Sequence, residues 1–126
     1  MGREKALAGA KPSLAKKLGI TGASRVFVVG DVVDEGLREA LAEAGALGAR
    51  DADLIVGCVA ALGELDGLIR TAQRVGCAVW AVYAKGKGKE LGERMVREAF
   101  RDRGFVDVKV ASVSETMTGL RFVKRP

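Results

Sequence analysis

The sequence contains no histidine, and it contains only two cysteines and two prolines. The absence of histidine excludes a Ser-His-Asp triad, a Cys-His dyad and every histidine-ligated metal site. Two cysteines are too few for a disulfide scaffold, and their scarcity favours a cytoplasmic location. No apolar run reaches the roughly 18 residues of a membrane helix, so we expect no membrane partner. The charged start of the chain also lacks the apolar block of a secretory signal.

The length and composition are typical of one soluble globular domain. The chain has 126 residues, of which 48% are hydrophobic and 29% are charged. This balance argues against a disordered chain, a collagen or a coiled coil. We expect residues 12–126 to form a single domain after a basic flexible tail at residues 1–11.

Charge is distributed unevenly along the chain. The net charge is +5 in residues 1–25, −5 in residues 26–84 and +5 in residues 85–126. Basic ends attract phosphates, which makes nucleic acid a candidate partner. The chain has only four Phe, one Trp and one Tyr for base stacking, so such binding would be weak, non-specific and salt-sensitive. The basic residues concerned are Lys11, Lys16, Lys17, Lys85, Lys87, Lys89, Arg121, Lys124 and Arg125.

Strands and helices are predicted to alternate. Runs of β-branched residues such as RVFVVG are typical of strands buried on both faces. Apolar residues four apart, such as Leu14 and Leu18, predict helices. The predicted order is helix 12–18, strand 25–30, helix 34–44, strand 52–59, helix 65–75, strand 77–83, helix 90–103, strand 105–113, turn 114–119 and strand 120–124.

This alternation predicts a three-layer Rossmann-like α/β domain, with a mostly parallel five-stranded sheet that ends in an antiparallel hairpin. A final hairpin on a parallel sheet resembles the end of the class I methyltransferase architecture. By that resemblance, the strands are ordered first, second, third, fifth, fourth.

The link before the second of these strands is short. A parallel crossover needs about a dozen residues, but only Asp51 and Ala52 separate Arg50 from that strand. Residues 46–50 therefore cannot be a parallel strand beside it, and the second and third strands of a full methyltransferase sheet are expected to be missing. Three crossovers in one direction then place three helices on one face. The other face is then covered only by helix 12–18. We therefore expect a homodimer, in which a second copy covers the rest of that face.

Three segments resemble a known family. They are LAKKLGI at 14–20, RVFVVG at 25–30 and, most specifically, SETMTGLRFVKR at 114–125. They resemble a family of small bacterial proteins catalogued as a domain of unknown function, in which tryptophan often occupies the position of Met117. The resemblance covers residues 11–125, and it implies a Rossmann-like fold without an assigned activity.

The candidate ligand site lies beyond the carboxyl ends of the parallel strands, where open α/β sheets bind ligands. The turn at 30–36 has two glycines and three carboxylates, and it matches neither G-x-G-x-x-G nor G-x-G. We therefore favour an ordinary turn there, and we expect no resident cofactor, no metal and no catalytic residue. The candidate residues at this edge are Gly30, Asp31, Tyr83, Lys85 and Lys87, together with residues 58–60.

The stretch KGKGK at 85–89 is the most suggestive part of this edge. Alternating glycines allow the backbone to form an anion-binding nest, and lysines add positive charge, so a small anionic molecule is a candidate ligand. A solvated flexible loop has the same composition and remains the alternative.

Cys58 and Cys77 are not expected to form a disulfide. They are predicted on neighbouring strands with an offset of about four residues, roughly 13 Å at the rise of a strand. A disulfide needs Cα atoms within about 7 Å. Both cysteines are therefore interpreted as buried apolar residues.

These patterns favour a small binding or protein-interaction module without catalytic machinery. One alternative is a degenerate methyltransferase-like enzyme or nucleotide binder that uses the edge between Asp31 and Lys85. The other alternative is a weak, non-specific nucleic-acid binder that uses the basic ends.

Overall fold

Four helices and six strands follow one another in the described part of the chain. The structure is a computed structural model, and it describes residues 13–48, 50–86 and 89–126. The predicted tail at 1–11 and the candidate residue Lys87 lie outside these residues. None of the described helices has the length and apolar content needed to span a bilayer. The elements are α1 (Leu14–Leu18), β1 (Arg25–Val29), α2 (Glu35–Leu41), β2 (Ala46–Leu47), β3 (Leu54–Cys58), α3 (Leu62–Val75), β4 (Ala78–Ala84), α4 (Glu93–Arg101), β5 (Phe105–Ser112) and β6 (Met117–Lys124).

The strands form one sheet in the order β2-β1-β3-β4-β6-β5. β2, β1, β3 and β4 are parallel, whereas β6 is antiparallel to both β4 and β5. The predicted order of the five longer strands and the antiparallel hairpin are confirmed. β6 begins at Met117, inside the predicted turn, because residues 117–119 pair with the end of β4.

The sheet contains one strand that the sequence did not predict. Ala46 and Leu47 pair in parallel with Arg25 and Val26 of β1. The short link does exclude pairing with β3, but α2 provides a crossover from β1 to residues 46 and 47. The expectation that this strand was missing is wrong, because a two-residue strand requires no apolar run of its own.

Helices cover both faces of the sheet. α1 and α2 pack on one face around Val56 and Trp80, and α3 and α4 pack on the other around Ile55 and Phe122. The expectation of three helices on one face is wrong, because α2 leads from β1 outward to β2, whereas α3 and α4 lead in the opposite direction. Right-handed crossovers in opposite directions lie on opposite faces. The coverage argument for a homodimer therefore fails, and the homodimer stays a prediction.

Packing accounts for the C-terminal segment that carries the family resemblance. Gly119 lies beside Trp80, where an added Cβ atom would come within 3.1 Å of the indole ring. Phe122 stacks on Phe100 with ring centroids 4.0 Å apart. The indole Nε1–H of Trp80 donates to the Leu18 carbonyl over 2.8 Å. This segment therefore builds the core and, through Trp80, the contact with α1.

Gly30 follows β1 in a conformation that favours glycine. Its φ angle is +85°, and an added Cβ atom would lie 2.2 Å from the Cys58 carbonyl oxygen at the end of β3. The close approach of β1 and β3 thus requires glycine at this position.

We expect Gly30→Ala to lower the free energy of unfolding by about 1–3 kcal/mol, the usual cost of one strained backbone position. Urea denaturation measures this change. Gly67→Ala is the control, because Gly67 lies within α3 with open space around it, and it is expected to gain about 0.5–1 kcal/mol. A Gly30→Ala protein as stable as the unmodified chain would contradict the assignment.

Candidate functional site

The reversal of strand order beside β1 creates a crevice at the carboxyl edge of the sheet. From β1 the chain crosses outward to β2 and then returns to β3 on the other side. Open α/β sheets bind ligands at such a switch point. A cleft of about 210 Å³ lies here, which we term the switch-point cleft. It is lined by Asp31, Val33, Cys58, Val59, Ala60, Glu64 and Met117.

Two acidic side chains near this cleft, those of Glu64 and Asp34, accept backbone N–H groups at or just before the start of a helix. Glu64 Oε1 accepts the backbone N–H of Ala60 over 2.7 Å, just before α3. Asp34 Oδ2 accepts the N–H of Leu37 over 2.8 Å at the start of α2. Carboxylates at helix N-termini are stabilised by the helix dipole. Within the described residues, no cluster of acidic or cysteine side chains is arranged to hold a metal ion.

The Cys58 thiol in this cleft is poorly suited to nucleophilic chemistry. Burial, followed by the negative charges of Asp34 and Asp31, raises the pKa of Cys58 to about 11. The thiolate is the reactive form, so the neutral thiol that predominates at physiological pH is inert. Cys58 lies opposite Val82, far along β4 from Cys77, and both cysteines are free. The predicted absence of a disulfide is confirmed.

A second depression lies where β4 ends beside the start of α4. It has a volume of about 230 Å³, and we term it the Tyr83 pocket. Lys85 is held at its mouth, because its Nζ donates to Ser112 Oγ over 2.9 Å and its backbone N–H donates to the Thr116 carbonyl over 2.8 Å. The lining residues are Tyr83, Ala84, Lys85, Gly86, Leu91, Gly92, Glu93 and Thr118.

Tyr83 is the most buried polar residue of this pocket, with only 2% of its surface exposed. Burial, and then the charge of Glu93, raises its pKa to about 12, although Arg97 acts in the opposite direction. The hydroxyl is therefore neutral at physiological pH. No other group of the described residues forms a hydrogen bond with it.

A third depression of about 240 Å³ joins the first two. It shares Val59 and Ala60 with the switch-point cleft, and it shares Tyr83, Ala84 and Leu91 with the Tyr83 pocket. The three depressions therefore adjoin along the carboxyl ends of β3 and β4. We term them together the rim groove.

The structure brings most of the predicted site residues to this edge. Asp31, Tyr83 and Lys85 line the groove, whereas Gly30 turns toward β3. Sequence reasoning missed Glu93 and assigned Thr118 to the hairpin turn. Glu93 is the first residue of α4 rather than its second turn, a start that the preceding Gly92 indicates. Thr118 reaches the pocket because it pairs with Tyr83 where β6 lies beside β4.

Among the described residues, the basic side chains of the two ends do not form a single patch. α1 does lie against β5, because Lys109 Nζ donates to the Lys17 carbonyl over 3.0 Å. Lys124, however, pairs with Phe105, which packs with α3 and α4 on the other face. The positive charges are therefore divided between the two faces of the sheet.

Comparison with known proteins shows the fold and leaves the family open. No protein-family model matches the sequence, and no curated protein matches it. Membership of the family of unknown function therefore stays a prediction. A fibrillarin pre-rRNA processing protein of Methanococcus jannaschii is similar in structure, with a TM-score of 0.55, 12% identity, and coverage of 83% of this chain and 68% of that one.

Two further solved structures cover nearly the whole chain. A TehB-like SAM-dependent methyltransferase of Corynebacterium glutamicum has a TM-score of 0.53 and 15% identity, and the match covers 98% of this chain and 94% of that one. A functionally unknown protein of Deinococcus radiodurans has a TM-score of 0.52 and 14% identity, with 94% and 90% covered. The chain therefore has a class I methyltransferase-like Rossmann fold.

The described residues do not fit S-adenosylmethionine, the cofactor that this fold implies. Nucleotide sites of Rossmann folds hold the ribose with an acidic residue that follows the second strand. Here β2 ends at Leu47, which pairs with Val26. β1 continues for three more residues, to Val29. The next carboxylate, Asp51, lies beside the first residue of β1, where it accepts a 2.8 Å hydrogen bond from Arg25. Neither residue reaches the switch-point cleft.

In a Cys77→Ser protein, Cys58 is expected to react with iodoacetamide very slowly at neutral pH, with a midpoint near pH 11, because only the thiolate attacks. The same shift links stability to pH. The folded state favours the neutral thiol, so this contribution is present below about pH 9 and is lost as the pH rises through 11. Glutathione is the control for reagent chemistry. A midpoint at or below the ordinary thiol value of 9.0 would contradict the burial argument.

Proposed function

We propose that this protein is a small-molecule binding module without catalytic machinery, and that the rim groove is its ligand site. The observation that carries the proposal is the run of three adjoining depressions at the carboxyl ends of β3 and β4. This is the edge at which open α/β sheets bind ligands. The lining combines apolar side chains with a few polar groups, as ligand sites usually do.

The chemistry of the groove supports binding rather than catalysis. General acids and bases need pKa values near the working pH and free access to substrate. Glu64 is bonded to the chain before α3, and the Cys58 thiol is neutral. Tyr83 has a pKa of about 12, too high for a general base at neutral pH.

A methyltransferase-like enzyme is the second candidate, and the fold favours it. Two of the similar structures carry the names fibrillarin and SAM-dependent methyltransferase. The two-residue β2 argues against this candidate, because no acidic residue at the end of β2 reaches the cleft. A weak nucleic-acid binder is less well supported, since the basic residues are divided between two faces.

Calorimetric titration with S-adenosylmethionine separates the first two candidates. We expect no saturable heat, because the ribose contact is missing. The same titration of an Asp31→Ala protein is the control for the switch-point cleft. Micromolar binding that is lost in Asp31→Ala would establish the methyltransferase-like reading and overturn the proposal.

A fragment screen by ¹⁵N–¹H NMR tests the groove directly. We expect neutral and anionic fragments to shift the backbone amide signals of Val59, Ala60 and Ala84, which line it. The amide of Leu47 at the far edge of the sheet is the internal reference, and it should not move. Shifts spread evenly over the sheet, or none at all, would contradict a ligand site at this edge.

The remaining parts of the proposal concern context. We propose a single domain over residues 12–126, a cytoplasmic location, a homodimer and membership of the small bacterial family of unknown function. Sedimentation velocity measures the oligomeric state, and a monomer at all concentrations would remove the homodimer from the proposal.

A further inference from the structure

The Tyr83 pocket contains an unpartnered hydroxyl group on a residue that is otherwise buried. Tyr83 is 98% buried, yet its hydroxyl has no hydrogen-bond partner among the described residues, and its ring lines the pocket. The hydroxyl oxygen itself stays accessible to solvent, so water or a ligand in the pocket can satisfy it. This position therefore calls for a polar occupant of the pocket.

The start of α4 provides further donors on the same side. Gly92 is the N-cap of this nine-residue helix, and no side chain caps it. The first backbone N–H groups of a helix have no intrahelical acceptor and carry the positive end of its dipole. Gly92 and Glu93 both line the pocket, so α4 begins at its wall.

Of the two charged residues that line the pocket, Glu93 is paired with an opposite charge and Lys85 is not. The Glu93 carboxylate is engaged by Arg97, whose Nη1 lies 3.0 Å from its Oε2. Arg97 Nε also lies 3.3 Å from Asp107, a carboxylate outside the pocket lining, so Arg97 is shared between two carboxylates. The Lys85 ammonium is bonded to the neutral Ser112 hydroxyl and forms no ion pair within the described residues. Lys85 is thus the uncompensated charge at the mouth.

We propose that the Tyr83 pocket binds the oxyanion of a small metabolite, a carboxylate or phosphate attached to a short apolar body. The Tyr83 hydroxyl, the Lys85 ammonium and the N–H groups at the start of α4 all donate to the oxyanion. Leu91 and Ala84 contact the apolar part. The volume of about 230 Å³ is below that of pockets for drug-sized ligands, which restricts the occupant to a small molecule.

This inference rests on the proposed function, since it names the ligand class of one part of the rim groove. Tyr83 is the only tyrosine of the chain. A protein labelled with ¹³Cζ-tyrosine therefore gives a single tyrosine signal, which reports on the pocket alone. The probes are inorganic phosphate and propionate, and they distinguish a phosphate site from a carboxylate site.

We expect one of these anions to shift the tyrosine signal and the amides of Gly86 and Gly92 in a saturable manner. Lys85→Met is expected to weaken binding about tenfold or more, as loss of a charge-assisted hydrogen bond does. Tyr83→Phe should weaken it about two- to tenfold, because one neutral hydrogen bond is lost. Lys124→Met is the matched control, since Lys124 is an exposed lysine at the end of β6 far from the pocket, and it should leave the affinity unchanged.

Three outcomes would overturn the inference. The first is that neither anion shifts the tyrosine signal. The second is that the anions bind the Lys85→Met protein as tightly as the unmodified protein. The third is that Lys124→Met weakens binding as much as Lys85→Met, which would indicate non-specific charge attraction. If the anions fail while screened fragments still shift Val59 and Ala60, only this inference fails. If no compound shifts any groove amide, the proposed function fails as well.

Discussion

The hydrogen-bonded ladder between β3 and β4 determines where every candidate group lies. Cys58, the last residue of β3, pairs with Val82, and the Val59 N–H continues the ladder to the Val82 carbonyl over 2.9 Å. β4 then extends two residues beyond that pair, to Ala84. At this edge of the sheet, β4 therefore projects beyond β3. Tyr83 lies in the projecting part of β4, where it packs with α4 and lines the groove.

The sequence pattern was sufficient to predict the central sheet and its reversal at the hairpin. Long β-branched runs such as β3 and β4 have to be buried on both faces, and alternation with helices makes them parallel. It was not sufficient for β2 or for the side on which α2 packs. β2 has only two residues and therefore no periodicity of its own, yet its position beyond β1 reverses the direction of one crossover and moves a helix to the other face. A strand of two residues thus determined on which face of the sheet a helix packs.

The candidate site, like the sheet, was predictable only in part. Gly30, Asp31, Tyr83 and Lys85 follow strand ends, and strand ends are visible in the sequence. Thr118 was not, because it reaches the pocket only through the antiparallel register with Tyr83, which depends on where the hairpin turns. The pairing of charged side chains also could not be predicted from the sequence pattern. Nothing in the order of residues indicates that Glu93 is held by Arg97, a contact that changes the electrostatic character of the pocket.

The shortness of β2 and the length of β4 have opposite effects on the two ends of the rim groove. Beside β1, the shortness of β2 leaves the cleft without the acidic residue that follows this strand in nucleoside sites. Beside β4, the two additional residues place the Tyr83 hydroxyl, and the Lys85 that follows them, near the start of α4. The proposed ligand site of this methyltransferase-like fold therefore lies nearer to β6 and α4 than to the switch point beside β1.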